Sequence, residues 1–464
     1  MIVEEIPGAP PPAVLAQSLH LRPGSFFLDS ARPEDHGGRA FSFLGFDPFL
    51  TWEARDGCVT VESDGRREEV RGEPLAHLRS LLGCHRAPAG GPIPFGGGAV
   101  GYFGYEFGAR GEGVSPSAPD DLGVPEARFG FYDGVIACDL ASGKTFAVAN
   151  PVAQRSAPDI LAGLREAVRG ASNPPATTAA PRAGLPAREP VANLTREAYF
   201  QRVGRIKDYI AAGDVYQVNF AQRFDAALTE DAFAVYQRLR MLSPAPFGAY
   251  LDAGGFQILS CSPELLLRVD ATGRVLTRPI KGTRPRGGTP AEDARLAAEL
   301  SASAKDHAEL LMIVDLERND LGRVCRFGSV QVDERHRLET HPTVFHLVAT
   351  IAGRLAADRD LFDCLRSMLP GGSVTGAPKI RAMQIINELE PCRRHVYTGA
   401  IGYLGFDGTC DLNVAIRTIL CRNGRAQYHV GGGIVADSQP EAEYQETLAK
   451  GRALRAALLG EAAR

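Results

Sequence analysis

A mixed α-helix and β-strand fold is what this 464-residue sequence predicts. Three observations lead there. The composition, 44% hydrophobic and 23% charged, is that of an ordinary globular chain with ample core. Residues 1–170 hold short strand-like runs, 25–29 and 135–140 among them, broken by Gly and Pro. Residues 193–464 alternate segments of helical and of strand periodicity. Between these regions, 171–192 is a Pro/Ala-rich connector. Pro174, Pro175, Pro181, Pro186 and Pro190 forbid regular structure in it, though a connector in sequence need not separate two bodies in space.

The same reading narrows the class. A formal charge of −4 gives no electrostatic reason to bind nucleic acid or an acidic membrane. No apolar run approaches the ~18 residues of a membrane span, and the first residues lack a basic leader. The nine cysteines are scattered without metal or redox spacing, so reduced thiols and a cytoplasmic location are expected.

Along 193–464, Thr195 can cap a helix in which Tyr199, Val203, Ile206 and Ile210 recur at helical spacing before Gly213. Residues 214–225 then alternate as a strand. Tyr216, Val218, Phe220 and Phe224 face one side, and Gln217 and Asn219 the other. In a helix over 306–320, Leu310, Ile313 and Val314 form an apolar strip. Glu309 lies within this turn, so it either needs a cation or reaches water at the helix edge. A last helix starts near Pro440, and Glu443, Glu446 and Lys450 project from one of its faces, as a solvated stripe or a site. Just upstream, Gly431, Gly432 and Gly433 permit close backbone approach and leave amides free for an anion. Their register is not that of a dinucleotide fingerprint. Lys281, between Pro279-Ile280 and Gly282, has a defined backbone. It reads either as a surface lysine in a basic loop or, if desolvated, as a neutral amine able to attack carbon.

Taken together, the segments resemble one family, the chorismate-utilising enzymes. The matching runs are GGGAVGYFGYEF (97–108), GDVYQVNFAQRF (213–224), SPELLLR (262–268) and RPIKGTRPRG (278–287). They continue with AELLMIVDLERNDLGRV (308–324), GGSVTGAPKIRAM (371–383), GAIGYLG (399–405), LNVAIRT (412–418) and GGGIVADSQPEAEYQET (431–447). The resemblance implies an α+β fold of two antiparallel β-sheets packed as a sandwich, with helices outside and the site in a cleft. It implies chorismate as substrate and Mg²⁺ as cofactor, with Glu309, Glu446 and the nearby Glu443 as the metal carboxylates. Arg417 and Tyr403 match the pyruvyl-carboxylate contacts, helped by the amides of Gly431–Gly433. Lys450 would lie near the metal and ring carboxylate, and His346 and Ser373 match pocket positions.

Within the family, two positions divide the reactions. Members that add water carry a lysine base where this chain has Gln217, and a glutamine cannot deprotonate water, so an ammonia nucleophile is favoured. The position of Lys281 is typically alanine in anthranilate synthases and lysine in aminodeoxychorismate synthases. The resemblance therefore implies amination at C4 through a covalent Lys281 adduct at C2, with Glu264 as general acid/base. Ammonia would come from a glutamine amidotransferase subunit. An anthranilate synthase component I and a catalytically silent paralogue that only binds the glutaminase stand as alternatives. Phe27–Ser30 and Ser243–Pro246 match the tryptophan-binding motifs of anthranilate synthases only in part, so tryptophan is a candidate N-terminal ligand.

Overall fold

The computed structural model describes residues 1–30, 40–171, 188–341 and 344–461. Most of the 171–192 connector lies outside the described residues. Two antiparallel sheets of twelve described strands each dominate the molecule, eleven in each of the orders below, with Gly376–Ala377 pairing Gln217–Ala227 in the first and Gln331–Thr340 pairing Val344–Arg354 in the second. The first runs Ile2–Glu5, Thr145–Ala149, Gly134–Asp139, Phe41–Gly45, Phe26–Asp29, Phe247–Asp252, Phe256–Ser262, Thr418–Arg422, Arg425–Ile434, Gln217–Ala227 and Val191–Ala192 in spatial order. The second runs Ile280–Pro285, Val344–Arg354, Arg274–Arg278, Leu265–Val269, Cys410–Val414, Ala400–Gly405, Gly98–Phe103, Ala127–Tyr132, Leu50–Arg55, Cys58–Ser63 and Arg66–Arg71. In both sheets the strands of 1–170 form one end and those of the later region the other, so each sheet is shared by the two regions.

The cores explain this arrangement. Between the sheets lies an apolar cluster fed by both, with Phe26, Leu28, Phe43 and Val135 from the first and Val100, Tyr102, Ile401 and Tyr403 from the second. Each outer face is covered by helices. Pro12–Leu19, Ala157–Ala171, Ala232–Leu242 and the end of Pro440–Leu459 pack on the first sheet. Pro74–Gly83, Ala304–Gly322 and Leu361–Met368 pack on the second. This is the sandwich with outer helices that the resemblance implied. Among the described residues, no helix is long and apolar enough to cross a membrane.

The expected elements recur with small shifts. Arg196–Ala211 is helical and its Thr195 cap accepts from the Ala198 amide at 3.2 Å. Helix Ala304–Gly322 extends the expected 306–320 at both ends and buries Leu310, Ile313 and Val314. The strand expected over 214–225 is Gln217–Ala227. Tyr216 precedes it and is 73% exposed, whereas Val218 and Phe220 are buried.

Candidate active site

Two crossings of the chain between sheets build the centre of the site. Strand Phe256–Ser262 of the first sheet leads through Glu264 into Leu265–Val269 of the second, and Cys410–Val414 returns through Arg417 into Thr418–Arg422. The crossings are tied together: the Val414 amide donates to the Glu264 carbonyl at 3.0 Å, and the Cys261 amide to the Arg417 carbonyl at 3.1 Å. Arg417 adopts a φ of 50°, a left-handed conformation uncommon outside glycine. Its Nη1 donates to Ser243 Oγ at 3.1 Å, and burial lowers its pKa. Among the described residues no carboxylate pairs with this guanidinium. A buried, uncompensated cation is a place for an anionic group of a ligand.

Lys281 lies on the edge strand Ile280–Pro285. The register against Val344–Arg354 shifts between Lys281 and Thr283, with Gly282 at φ 77° between them. A Cβ on Gly282 would come within 2.9 Å of Leu300 and 3.0 Å of Asp306, so a bulge glycine lets the strand pack there. Lys281 Nζ donates to the Ser373 carbonyl at 3.0 Å. Desolvation pulls its pKa below the ordinary lysine value, against the pull of Glu264, Glu309 and Glu446 and aided by Lys450. Glu264 is 4% exposed, and burial raises its carboxyl, opposed by the neighbouring Ser373 hydroxyl and by Lys281. The site thus holds an amine biased towards neutrality beside an acid biased towards protonation.

The opposite wall comes from the first sheet and the last helix. Gly431, Gly432 and Gly433 pair with Ala221, Phe220 and Asn219. A Cβ on Gly433 would fall 2.1 Å from Gln217 Nε2, and one on Gly432 would lie 3.4 Å from Glu443 and 3.5 Å from Glu446. The glycines therefore make room for an amide on one side and carboxylates on the other. Gln217 is 1% exposed, yet among the described residues neither of its amide atoms has a hydrogen-bond partner. A buried amide without a protein partner can take the hydrogen bonds of a ligand. Lys450 Nζ bridges the Gly431 carbonyl at 2.9 Å and Glu446 at 2.7 Å.

Glu309 and Glu446 face each other electrostatically. Burial raises Glu309, with Lys281 and then Lys305 opposing it, whereas Lys450 draws Glu446 below its ordinary value. Burial also raises Glu443, against its 2.6 Å hydrogen bond from Ser438. The described residues offer no cluster of three or more His, Cys, Asp or Glu side chains arranged to hold a metal ion. The donor chemistry fits a two-carboxylate Mg²⁺ site completed by water and a ligand oxygen. His346, 3% exposed, shares a 3.0 Å hydrogen bond with Thr283 through Nδ1, and burial beside Arg417 and His341 keeps it neutral.

Tyr403 stands apart from this group. It alternates onto the inner face of its strand, and its ring stacks on Phe95 at 4.3 Å within the inter-sheet core. The tyrosine beside the amide pair is Tyr397, which stacks on His429 at 5.2 Å. Burial pushes its phenol up to about 12, with Arg394 and the Asn219 side chain opposing. Sequence reading also passed over Glu317, 2% exposed and bonded by Thr277 Oγ1 at 2.8 Å, and the buried Lys379–Asp320 pair at 2.5 Å. The signal for Lys379–Asp320 lay in the runs GGSVTGAPKIRAM and AELLMIVDLERNDLGRV.

The model of the chorismate binding enzymes matches residues 26–456. The chain belongs to that family. It is 43% identical over 435 residues to anthranilate synthase component 1 of Thermus thermophilus, covering 93% of this chain and 91% of the relative. Aminodeoxychorismate synthase component 1 of Escherichia coli is 40% identical over 418 residues, covering 90% and 89%. The crystal structure of anthranilate synthase component I from Streptococcus pneumoniae superposes with a TM-score of 0.79 at 33% identity, over 91% of this chain and 93% of that one. This chain is thus a chorismate-utilising enzyme, similar both to anthranilate synthase component 1 and to aminodeoxychorismate synthase component 1 relatives.

Proposed function

We propose that this chain is the component I of an aminodeoxychorismate synthase, converting chorismate and ammonia to 4-amino-4-deoxychorismate on the way to p-aminobenzoate and folate. The observation that carries the reading is Lys281, its pKa lowered by burial, with Nζ 3.0 Å from the Ser373 carbonyl and Glu264, whose carboxyl burial raises, nearby. Neutral Nζ attacks C2, both ring double bonds shift (C1=C2 to C1=C6 and C5=C6 to C4=C5), and the 4-hydroxyl leaves as water with a proton from Glu264. The proton lost by the new secondary amine returns to Glu264. Ammonia then attacks C4, both double bonds shift back, the C2–N bond breaks, and Lys281 leaves as the amine with a proton taken up from the incoming nitrogen. The balance is chorismate plus ammonia to aminodeoxychorismate plus water.

In this reading Arg417 receives the pyruvyl carboxylate with the amides of Gly431–Gly433, and Tyr397 takes the position first expected of Tyr403. Lys450 faces the ring carboxylate, while His346 and Ser373 shape the pocket. Gln217 offers amide atoms to the incoming nitrogen and cannot activate water. Glu309 and Glu446, backed by Glu443, would hold Mg²⁺, which when bound supplies positive charge to the ring carboxylate. We assign ammonia supply to a glutamine amidotransferase subunit. Tryptophan is the ligand to try at Phe27–Ser30 and Ser243–Pro246, where Arg240 holds Asp29 at 2.6 Å and Arg417 holds Ser243.

A second reading, anthranilate synthase component I, is favoured by the 43% identical Thermus relative. Incubation with chorismate, Mg²⁺ and an ammonium salt decides, with products separated chromatographically with and without a pyridoxal-phosphate lyase. Aminodeoxychorismate, turned into p-aminobenzoate by the lyase, is the expected product. Fluorescent anthranilate would overturn the assignment, and absence of turnover would favour a catalytically silent, glutaminase-binding role.

A further inference from the structure

A second cleft, of about 630 Å³, opens away from the candidate active site. One wall is the end of the second sheet, strands Leu50–Arg55, Cys58–Ser63 and Arg66–Arg71. The other carries Gly123, Pro125, Gly254, Gly255, Phe256 and Arg422. Strand Thr418–Arg422 begins beside Arg417 and ends at this cleft, so the two sites lie about 17 Å apart along it.

Charge in the cleft is not balanced. Arg55, Arg67, Arg71 and Arg422 line it, together with the carboxylates Glu53, Asp56 and Glu69. Each carboxylate is already engaged: Glu69 by Arg67 at 2.9 Å, Asp56 by Arg110 at 2.5 Å, and Glu53 by Arg128. Arg55 and Arg422 donate to the carbonyls of Gly123 and Leu122, which fixes both guanidiniums without neutralising them. Among the described residues, no carboxylate pairs with Arg55, Arg71 or Arg422. A guanidinium keeps its charge and presents a planar fork that fits phosphate or carboxylate oxygens in pairs. Three such groups around a cavity of small-molecule size make a polyanion site rather than an apolar one.

We propose that this cleft binds a small polyanion, bearing either phosphate groups or several carboxylates, independently of chorismate. Pyrophosphate and citrate serve as probes for the two sources, titrated calorimetrically into the full chain at low ionic strength. The expected result is saturable binding of one probe molecule per chain. Arg71→Ala should weaken it about tenfold, as loss of a charge-assisted contact does, and the Arg55→Ala/Arg71→Ala pair should weaken it further. Binding of pyrophosphate alone assigns a phosphate ligand, and citrate alone a polycarboxylate. Arg71 is exposed, so Arg71→Ala should keep its melting temperature and its turnover of chorismate. Arg165→Ala, a distant surface change, should leave binding intact. The proposal is overturned if neither probe binds saturably, if Arg165→Ala costs as much as Arg71→Ala, or if Arg417→Ala abolishes binding while Arg71→Ala does not.

Discussion

Arg394 and Glu390 form a doubly hydrogen-bonded pair inside the protein, with Nε to Oε2 at 2.8 Å and Nη2 to Oε1 at 2.6 Å. Arg394 is 2% exposed and also donates to the carbonyls of Asn219 at 2.6 Å and Val374 at 3.0 Å, while Glu390 accepts the Ala221 amide at 2.9 Å. The pair thereby clamps the strand that carries Gln217 to the loop that carries Ser373. Removing one partner strands the other charge and unties both segments. Arg394→Met should therefore destabilise the fold by about 3–5 kcal/mol in denaturant titration. Arg394→Lys should recover part of the stability but less of the turnover, because an ammonium cannot reproduce the fork. Equal stability of Arg394→Met and the parent would show that the clamp does not bear on the fold.

Much of the site was legible because its residues sit in short runs with local causes. Lys281 precedes a glycine that the bulge requires, Glu309 lies in an apolar helical turn, and Glu443, Glu446 and Lys450 repeat on one helical face. Which sheet face a residue takes was less legible. Tyr403 and Tyr397 lie six positions apart in one aromatic, glycine-rich stretch, and only pairing with Gly98–Phe103 turns Tyr403 into the inter-sheet core. Glu390 and Arg394 both lie beyond the end of helix Lys379–Leu389, so helical periodicity does not announce them. The sandwich itself came from the family resemblance, since periodicity alone does not say that neighbouring strands in sequence enter opposite sheets.

Lys281→Ala should remove C4 amination or divert nitrogen to C2. The bulge at Gly282 and the bond to Ser373 fix where this amine lies, and methyl in its place can form no adduct. Product chromatography should show aminodeoxychorismate falling by about three orders of magnitude or more, the scale on which positioned catalytic groups act. The Lys281→Arg variant should fare no better, because a guanidinium stays charged and cannot attack carbon. Unchanged aminodeoxychorismate formation by Lys281→Ala would rule out the covalent route.

The pH profile of the first half-reaction should have two limbs, read from adduct mass on mixing with chorismate without ammonia. Lys281 must be neutral, and its pKa lies below the ordinary 10.5, so the rate should climb with pH and level off below that value. Glu264 must be protonated, and its pKa lies above the ordinary 4.5, so the rate should decline as pH rises through that raised value. Glu264→Gln should abolish the alkaline decline and lower the maximum by about 10²–10⁴-fold. A variant that keeps the decline would assign that limb to another group.

Glu317 gives a stability prediction separate from catalysis. Burial raises its pKa from 4.5 to about 8, opposed by the Thr277 hydrogen bond and reinforced by Glu264 and Asp320. The native state keeps a proton that the unfolded chain surrenders above about pH 4.5. Stability contributed by that proton is thus full below 4.5 and is lost progressively as pH rises to about 8. Glutamine matches the protonated shape, still accepts from Thr277 and does not titrate. Glu317→Gln should accordingly be close to neutral at pH 4.5 and stabilising at pH 8 by on the order of 4 kcal/mol, less whatever solvent and local rearrangement relieve. Denaturant melts of both proteins at the two pH values make the comparison. A gain of the same size at pH 4.5 and pH 8 would mean that Glu317 is not held protonated, and that packing rather than the proton governs the substitution.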